Sequence, residues 1–186
     1  MIHGARPKRR KEEGVRILLI LLAATLTVGS AFAQEMSRME RQIRKELVTL
    51  PYYSVFDDLK FKVDGGKVTL LGSVVRPTLK SSAERVIEDI EGVEQIENQI
   101  EVLPNSPNDD QIRRAVYRAI YGQQMFTRYQ MQAIPPIHII VKNGDVTLEG
   151  VVATEAEKNN AEIQANGVSG VFSVTNNLRV ERGSEE

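Results

Sequence analysis

The residues best suited to recognising another molecule lie in one predicted helix, residues 112–121. At 100° per residue, its aliphatic side chains fall on one side of the helix and its arginines and tyrosines on the other. The second side carries Arg113, Arg114, Tyr117, Arg118 and Tyr121. Arginine pairs with phosphate, and a tyrosine ring suits the boundary between lipid and water. The pattern predicts docking to an anionic lipid surface, with an ordinary solvated face as the alternative.

Two other stretches are candidate binding surfaces. The first predicted helix has a related basic stripe formed by Arg41, Arg44 and Lys45. A segment at residues 122–136 is rich in sulfur and aromatic side chains, with Met125, Phe126, Tyr129 and Met131. Adaptable apolar side chains of this kind suit binding to other proteins if they are exposed. A chaperone or adaptor is therefore the alternative function, and solvent exposure of this segment discriminates between the two.

The residue types and their spacing give little support for an enzyme. Only one histidine, His138, follows residue 33, and it is expected on the solvated face of a strand, where a metal site or a catalytic triad would lack partners. The chain also has three adjacent acidic pairs: Asp57–Asp58, Glu88–Asp89 and Asp109–Asp110. Adjacent side chains project in different directions, so we interpret the pairs as helix caps or solvated acids. We expect no catalytic residues, no cofactor and no metal.

A duplicated β-hairpin must position these residues. The stretch GGKVTLLGSVV from Gly65 returns as NGDVTLEGVVA from Asn143. Gly-Gly and Asn-Gly favour two-residue type I′ turns, which require positive φ at both central residues. Such turns fix the register, placing Val63 opposite Val68 in the first hairpin and Val141 opposite Val146 in the second. One face of each hairpin is apolar and the other is polar, so helices must cover one face only.

The elements around each hairpin predict an α+β fold. A capping box at Ser37 and Glu40 begins the first helix, and Pro77 begins a second helix that leads to a third strand. The order is therefore αββαβ, twice, with each unit a three-stranded mixed sheet and two helices on one face. A helical crossover favours a third strand parallel to the second. We expect the sheet order 2-1-3.

The second unit repeats the first at a constant offset of 78 residues from the hairpin onward, whereas the first helices align at offset 69. Nine residues are therefore inserted within 122–136. The second unit's later helix is poor in large apolar groups, because Leu79 and Ile87 correspond to Glu157 and Ala165. Because each buried methylene stabilises the fold, the loss of these aliphatic side chains lowers the stability of the second core. We expect the inserted aromatic residues to refill that core.

The first 33 residues have the pattern of a secretion signal. A basic segment precedes an apolar stretch that is short for a membrane span, and Ala31-Phe32-Ala33 fits a cleavage site. Removing its six basic and two acidic residues leaves 18 basic and 23 acidic residues, a net charge of −5. That balance predicts no general attraction to nucleic acid. With no cysteine, the chain can form neither a lipidated N-terminal cysteine nor a disulfide.

The repeated motifs resemble the BON domain family. The hairpin motif V-T-L-x-G is followed by G-V-x-x-V-x-N-x-L-x-V, which is GVEQIENQIEV from Gly92 and GVFSVTNNLRV from Gly170. The positions that carry the likeness are Gly66, Gly72, Gly92, Asn98, Gly144, Gly150, Gly170 and Asn176. Asn98 and Asn176 lie among apolar neighbours, and we favour an amide bound to backbone over a ligand role. Two tandem copies behind a secretion signal are similar to the OsmY type of periplasmic protein.

The resemblance implies a non-enzymatic envelope module associated with phospholipid binding, envelope integrity, osmotic stress and, for some members, chaperone-like behaviour. We divide the chain into a signal peptide, BON domain 1, a linker, BON domain 2 and a tail, at residues 1–33, 37–103, 104–108, 109–181 and 182–186. The two BON domains are called repeat 1 and repeat 2 below. The expected partners are anionic phospholipid or envelope surfaces, or unfolded or envelope proteins, in the periplasm. Neither nucleic acid nor a metal is expected.

Overall fold

The computed structural model describes residues 38–181. The chain divides into two compact units between Gln42 and Ile43, inside the first helix, so each unit is described by itself, and both sheets lie in the second unit. The predicted signal peptide, the N-cap Ser37 and the tail all fall outside the described residues.

The structure is α+β, with five helices and two mixed sheets among the described residues. Repeat 1 contains α1 (residues 38–48), β1 (Asp58–Asp64), β2 (Lys67–Val74), α2 (Pro77–Glu88), β3 (Gln95–Asn98) and β4 (Glu101–Val102). Repeat 2 contains α3 (Pro107–Tyr121), a 3₁₀ turn (Gln124–Phe126), α4 (Thr127–Gln130), β5 (Ile137–Lys142), β6 (Asp145–Val152), α5 (Glu155–Asn166), β7 (Ser173–Asn176) and β8 (Arg179–Val180). Helix α3 begins inside the segment predicted as a linker.

The predicted hairpin register is confirmed in both repeats. Val63 pairs with Val68, and Val141 pairs with Val146. The turns differ in backbone conformation. Asn143 and Gly144 both have positive φ, 55° and 87°, as a type I′ turn requires, whereas in the first turn only Gly65 does, at 59°. The prediction of a type I′ turn at Gly65-Gly66 is therefore wrong, although the register is kept because the loop length is the same.

The predicted sheet order was wrong. In each sheet the second hairpin strand is central, with the first hairpin strand on one side and the third strand, parallel as expected, on the other. A helical crossover of ordinary length returns the chain beside the strand that it leaves, so α2 and α5 place the third strands next to β2 and β6.

The third strand is not continuous, so each sheet has four strand segments rather than three. β3 and β4 both pair with β2, and β7 and β8 both pair with β6, with two residues between the segments. The side chain of Asn98 spans the first break. Its Nδ2 donates to the Lys80 carbonyl (3.0 Å) and to Glu84 (2.9 Å), and its Oδ1 accepts from the backbone N–H of Ile100 (3.2 Å).

Asn176 makes the equivalent three bonds in repeat 2, with Lys158, Glu162 and Leu178. Both amides are therefore used within the fold, tying the third strand to the preceding helix. In each repeat the Oδ1 of the motif asparagine supplies an acceptor for a backbone N–H inside the strand break, that of Ile100 or Leu178.

The apolar core of repeat 2 is formed by α3, α5, β5 and β6, together with the insertion. Phe126 and Tyr129 are buried in this core, so the expectation that the insertion refills it is confirmed. Tyr129 also binds Glu157, the polar residue that stands where repeat 1 has Leu79. Its hydroxyl donates to Glu157 (2.9 Å), which accepts from the backbone N–H of Ala153 (2.9 Å) and pairs with Arg128.

The polar faces of the two hairpins are partly covered by the junction of the repeats. The backbone N–H of Ile139 donates to the carbonyl of Val55 (2.7 Å), and Lys60 pairs with Glu149 (2.9 Å). Val55 and Phe56, from the connector between α1 and β1, pack against the core of repeat 2. The expectation of a fully solvated face is therefore wrong for the part that faces this connector.

Candidate functional site

Helix α3 holds the predicted arginine and tyrosine residues. Ser106 caps its N-terminus by accepting from the backbone N–H of Asp109 (3.2 Å), and Pro107 occupies the first turn, where a missing N–H costs nothing. Arg114 and Arg118 are exposed and lie four residues apart, so they share one side of the helix. Tyr117 is half-buried between them. These three residues are called the α3 surface below.

Two of the five predicted contact residues do not belong to this surface. Arg113 is only 3 % exposed, pairs with Asp110 (2.5 Å) and donates to the carbonyl of Val141 (2.7 Å). Tyr121 is also buried, and its hydroxyl donates to the Ile137 carbonyl (2.9 Å) and accepts from the N–H of the same residue (3.0 Å). The prediction that Arg113 and Tyr121 lie on the outer face is therefore wrong. Both side chains turn inward because their polar ends bind backbone groups of strand β5.

Tyr117 is held in place by aromatic neighbours. Its ring centroid lies 4.9 Å from that of Tyr121 and 6.1 Å from that of Phe56, which belongs to the connector of repeat 1. Aromatic pairs at these separations are favourable, so the ring is fixed while one edge remains open to solvent. The α3 surface therefore combines a ring held by its neighbours with two exposed cationic side chains.

The basic stripe of α1 is less available than its sequence indicates. Lys45 is exposed, but the guanidinium of Arg44 lies over the ring of Phe61, 5.7 Å from its centroid. Arg41 is exposed and belongs to the part of the chain before Ile43. Arg44 covers an apolar ring as well as carrying charge, so its contribution is partly structural.

The Met-aromatic segment divides into a buried and an exposed half. Phe126 and Tyr129 belong to the core of repeat 2, which removes them as contacts for a protein client. Met125 is 37 % exposed and Met131 is 89 % exposed. The apolar surface that this segment offers is therefore made of its two methionines.

His138 lies at the junction of the repeats and is not a surface histidine. Its Nδ1–H donates to the carbonyl of Asp57 (2.6 Å), and its ring stacks on Tyr53 at a centroid distance of 5.7 Å. Burial lowers the pKa of His138, against the opposing pull of the Asp57 carbonyl and of the Asp57 and Asp58 charges. These contacts hold the connector of repeat 1 on strand β5.

Two of the buried acids bind backbone N–H groups away from helix ends. Asp57 accepts from the backbone N–H groups of Ser54 (3.0 Å) and Val75 (2.8 Å), and Asp109 accepts from those of Asn143 (3.0 Å) and Gly144 (2.9 Å). Neither acid is a helix cap or a solvated side chain, although Asp109 lies in the first turn of α3 as expected. Each carboxylate fixes a loop of the fold.

A cleft that the sequence did not indicate lies beside the start of α3. It has a volume of about 390 Å³ and is lined by the connector, by the end of β2 and by α3, through Tyr52, Ser54, Phe56, Asp57, Val75, Arg76, Asp110, Arg113 and Arg114. We call it the connector cleft. Tyr52 and Arg76 escaped prediction because they lie in loops, where neither helical nor strand periodicity applies. The Tyr-Tyr pair after Pro51 was the available signal.

Neither a metal centre nor a membrane span is found between residues 38 and 181. Within that range, no group of three or more His, Cys, Asp or Glu side chains is placed to hold a metal ion. None of the helices there combines the length and the apolar character that crossing a membrane requires.

A family model for the BON domain matches the chain twice, over residues 37–104 and 108–182. Two solved structures of CdsD, a structural protein of the type III secretion system of Chlamydia trachomatis, also match. Its C-terminal domain is 11 % identical over 76 % of this chain and 96 % of that chain, with a TM-score of 0.31. The other is 12 % identical over 80 % of this chain and 94 % of that chain, with a TM-score of 0.33. Among curated protein sequences, none matches.

Proposed function

This chain belongs to the BON domain family, with two tandem copies, and from that premise we propose that it is a non-enzymatic periplasmic protein that binds anionic phospholipid surfaces. The family's association with phospholipid and osmotic stress supports this class of function. The observation that carries the proposal is the α3 surface, where Arg114 and Arg118 stand exposed around the edge of Tyr117. Within residues 38–181, neither arginine has a carboxylate within salt-bridge distance.

The energetics favour reversible binding. A basic residue near an anionic surface contributes about 1 kcal/mol, so two arginines provide weak binding that salt readily screens. Arg44 and Lys45 supply further exposed positive charge on α1. The net charge of the chain is −1, so this attraction is local to basic surfaces and is not a property of the whole protein.

Co-sedimentation with vesicles tests the proposal. We expect the protein to bind phosphatidylglycerol vesicles at low salt, to bind phosphatidylcholine vesicles much less, and to dissociate at high salt. The double substitution Arg114→Glu and Arg118→Glu should reduce the binding constant for these vesicles at least about tenfold, because it replaces two attractive charges with two repulsive ones.

The matched control is the double substitution Arg85→Glu and Arg179→Glu, which makes the same charge change at exposed arginines outside α3. All proteins carry the same first 33 residues, so a difference between the two double variants reports on the substituted arginines and not on that segment. Equal binding to both lipids, absence of binding, or an equal loss in the control would contradict the proposal.

The alternative is a chaperone or adaptor that binds proteins through exposed apolar groups. One observation favours it, the exposure of Met131 and Met125 beside α4. Methionine adapts to varied apolar partners, so these two side chains would be its contacts. If this alternative holds, replacing both methionines with Gln abolishes suppression of client aggregation and leaves vesicle binding unchanged.

A further inference from the structure

We propose that the connector cleft is an anion site that takes a single phosphate group, either a lipid headgroup or a free phosphate. The inference deepens the proposed function and rests on it for the lipid source, because Arg114 belongs both to the cleft and to the α3 surface. It adds a defined pocket and two residues, Arg76 and Tyr52, that lie outside α3. The volume of about 390 Å³ is at the lower end of the range for small-ligand pockets.

The two acidic side chains that line the cleft, Asp57 and Asp110, already have binding partners. Asp57 is 2 % exposed, and its carboxylate accepts three bonds, from Val75 N–H, Ser54 N–H and the Ser54 hydroxyl (2.8 Å). Asp110 is paired with Arg113 at 2.5 Å. Each carboxylate is therefore held by partners other than the two arginines at the rim.

Arg76 and Arg114 are exposed and, within the described residues, pair with no carboxylate. They come from separate elements, the residue before α2 and the first half of α3, so they approach the same opening from two sides. Guanidinium groups match the oxygens of a phosphate with two parallel hydrogen bonds. Two arginines that line one opening suit the binding of a phosphate.

A third positive charge lies at the floor. Arg113 is buried, and its Nε has no hydrogen-bond partner within the described residues. Its single ion-pair partner among those residues, Asp110, has a side chain that is 41 % exposed. The lining therefore carries three arginines against two aspartates, Asp57 and Asp110, and its formal net charge of +1 favours an anion.

Tyr52 forms the outer wall in a conformation that a non-glycine residue rarely adopts. Its φ is 69°, and its ring stands in solvent with the guanidinium of Arg76 4.8 Å from the ring centroid. Left-handed backbone at a bulky residue costs free energy and needs a compensating interaction. Here the Tyr52 ring holds the guanidinium of Arg76 at the opening, and the edge of the guanidinium can still donate its N–H groups to a ligand.

Titration followed by amide NMR tests the inference with the full chain. The probes are inorganic phosphate, glycerophosphoglycerol, which is a headgroup without acyl chains, and phosphatidylglycerol vesicles. We expect saturable shifts at the backbone amides of Ser54, Phe56 and Val75. Arg76→Gln and Arg114→Gln should each weaken phosphate binding about tenfold, as loss of one charged hydrogen bond predicts, and Arg85→Gln should leave it unchanged.

The outcomes separate this inference from the proposed function. Phosphate binding that is lost in Arg76→Gln, with unshifted amides elsewhere showing an intact fold, supports the cleft. Absence of saturable phosphate shifts, or equal affinity in Arg76→Gln and the unmodified protein, would overturn it even if vesicles still bind. Phosphate binding without vesicle binding would instead reject the lipid function and leave a site for free phosphate. Tighter binding of glycerophosphoglycerol than of inorganic phosphate would identify the lipid headgroup as the source.

Discussion

Gly150 occupies a position where a side chain cannot be accommodated. Its φ is 120°, and a Cβ atom built on it would lie 1.9 Å from the carbonyl oxygen of Pro136. Gly72, its counterpart in repeat 1, has φ 107° and would place a Cβ 2.0 Å from the carbonyl oxygen of Asp58. The glycine of the V-T-L-x-G motif is therefore set by the close approach of the first hairpin strand to the second.

We expect Gly150→Ala to destabilise the protein by about 2–4 kcal/mol, because the methyl group meets backbone that cannot move aside. Urea unfolding measures the change. Gly167→Ala is the matched control, since Gly167 has φ −75° and the nearest atoms to an added Cβ are 3.6 Å away. Its effect should stay within about 0.5 kcal/mol, and an equal loss in both variants would contradict the steric explanation.

The insertion shows how one element compensates for another. Helix α5 carries Glu157 and Ala165 at the positions where α2 has Leu79 and Ile87, and the 3₁₀ turn and α4 provide Phe126 and Tyr129 to the same core. Buried Glu157 is stable there because Tyr129, Arg128 and the backbone of Ala153 all bind its carboxylate. Repeat 2 therefore exchanges aliphatic packing between helices for aromatic packing from the insertion.

Replacing Phe126 with Ala should destabilise the protein by about 3–5 kcal/mol, as expected for a large ring removed from a closed core. Its ring contacts those of Tyr121 and Tyr129 at 6.4 and 6.2 Å between centroids, so the cavity cannot collapse easily. Met131→Ala, at an exposed site of the same insertion, should change the stability by less than about 0.5 kcal/mol. Thermal unfolding of the two variants checks this, and similar midpoints would show that the insertion is not part of the core.

At the scale of the molecule, the two repeats are in contact within residues 43–181. The connector of repeat 1 lies along β5, where it contributes Val55 and Phe56 to the core of repeat 2 and binds His138 through the carbonyl of Asp57. Lys142 pairs with Glu101 (2.5 Å), which adds a second ionic contact beside that of Lys60 with Glu149. Unfolding of one repeat therefore exposes groups of the other.

His138 should make this junction sensitive to pH. Burial lowers its folded-state pKa below the unfolded value of about 6.5, so the folded protein favours the neutral ring. The contribution of the neutral ring is complete above about pH 6.5 and is lost as the pH falls from there through the folded pKa. The facing charges of Asp57 and Asp58 limit the loss, since they favour the protonated ring.

Denaturant unfolding at pH 7.5 and at pH 5.5 measures this effect. When the pH falls from 7.5 to 5.5, the free energy of unfolding should decrease more for the unmodified protein than for His138→Gln. The reason is that His138 gains a proton on unfolding at the lower pH, whereas a glutamine in its place cannot. Carboxylates contribute equally to both proteins. An identical pH dependence would show that His138 does not titrate within this range.

The features that could be predicted from the sequence are those that depend on local periodicity, turn residues and side-chain volume. Hairpin register followed from the two-residue turns at Gly65-Gly66 and Asn143-Gly144, and the buried insertion followed from volume lost on α5. The inward turn of Arg113 and Tyr121 could not be predicted, because it depends on the carbonyls of Val141 and Ile137, which lie far away in the sequence. The connector cleft was missed for the same reason, since its walls come from three separate segments.

The interrupted third strand has a consequence for solubility. Each sheet ends on one side in a strand of four residues followed, after a break, by one of two. A neighbouring molecule that tried to extend the sheet on that side would find no uninterrupted row of backbone groups to pair with, and short edge strands hinder such pairing. By binding the backbone at each break, Asn98 and Asn176 keep this edge from offering a continuous template to a second sheet.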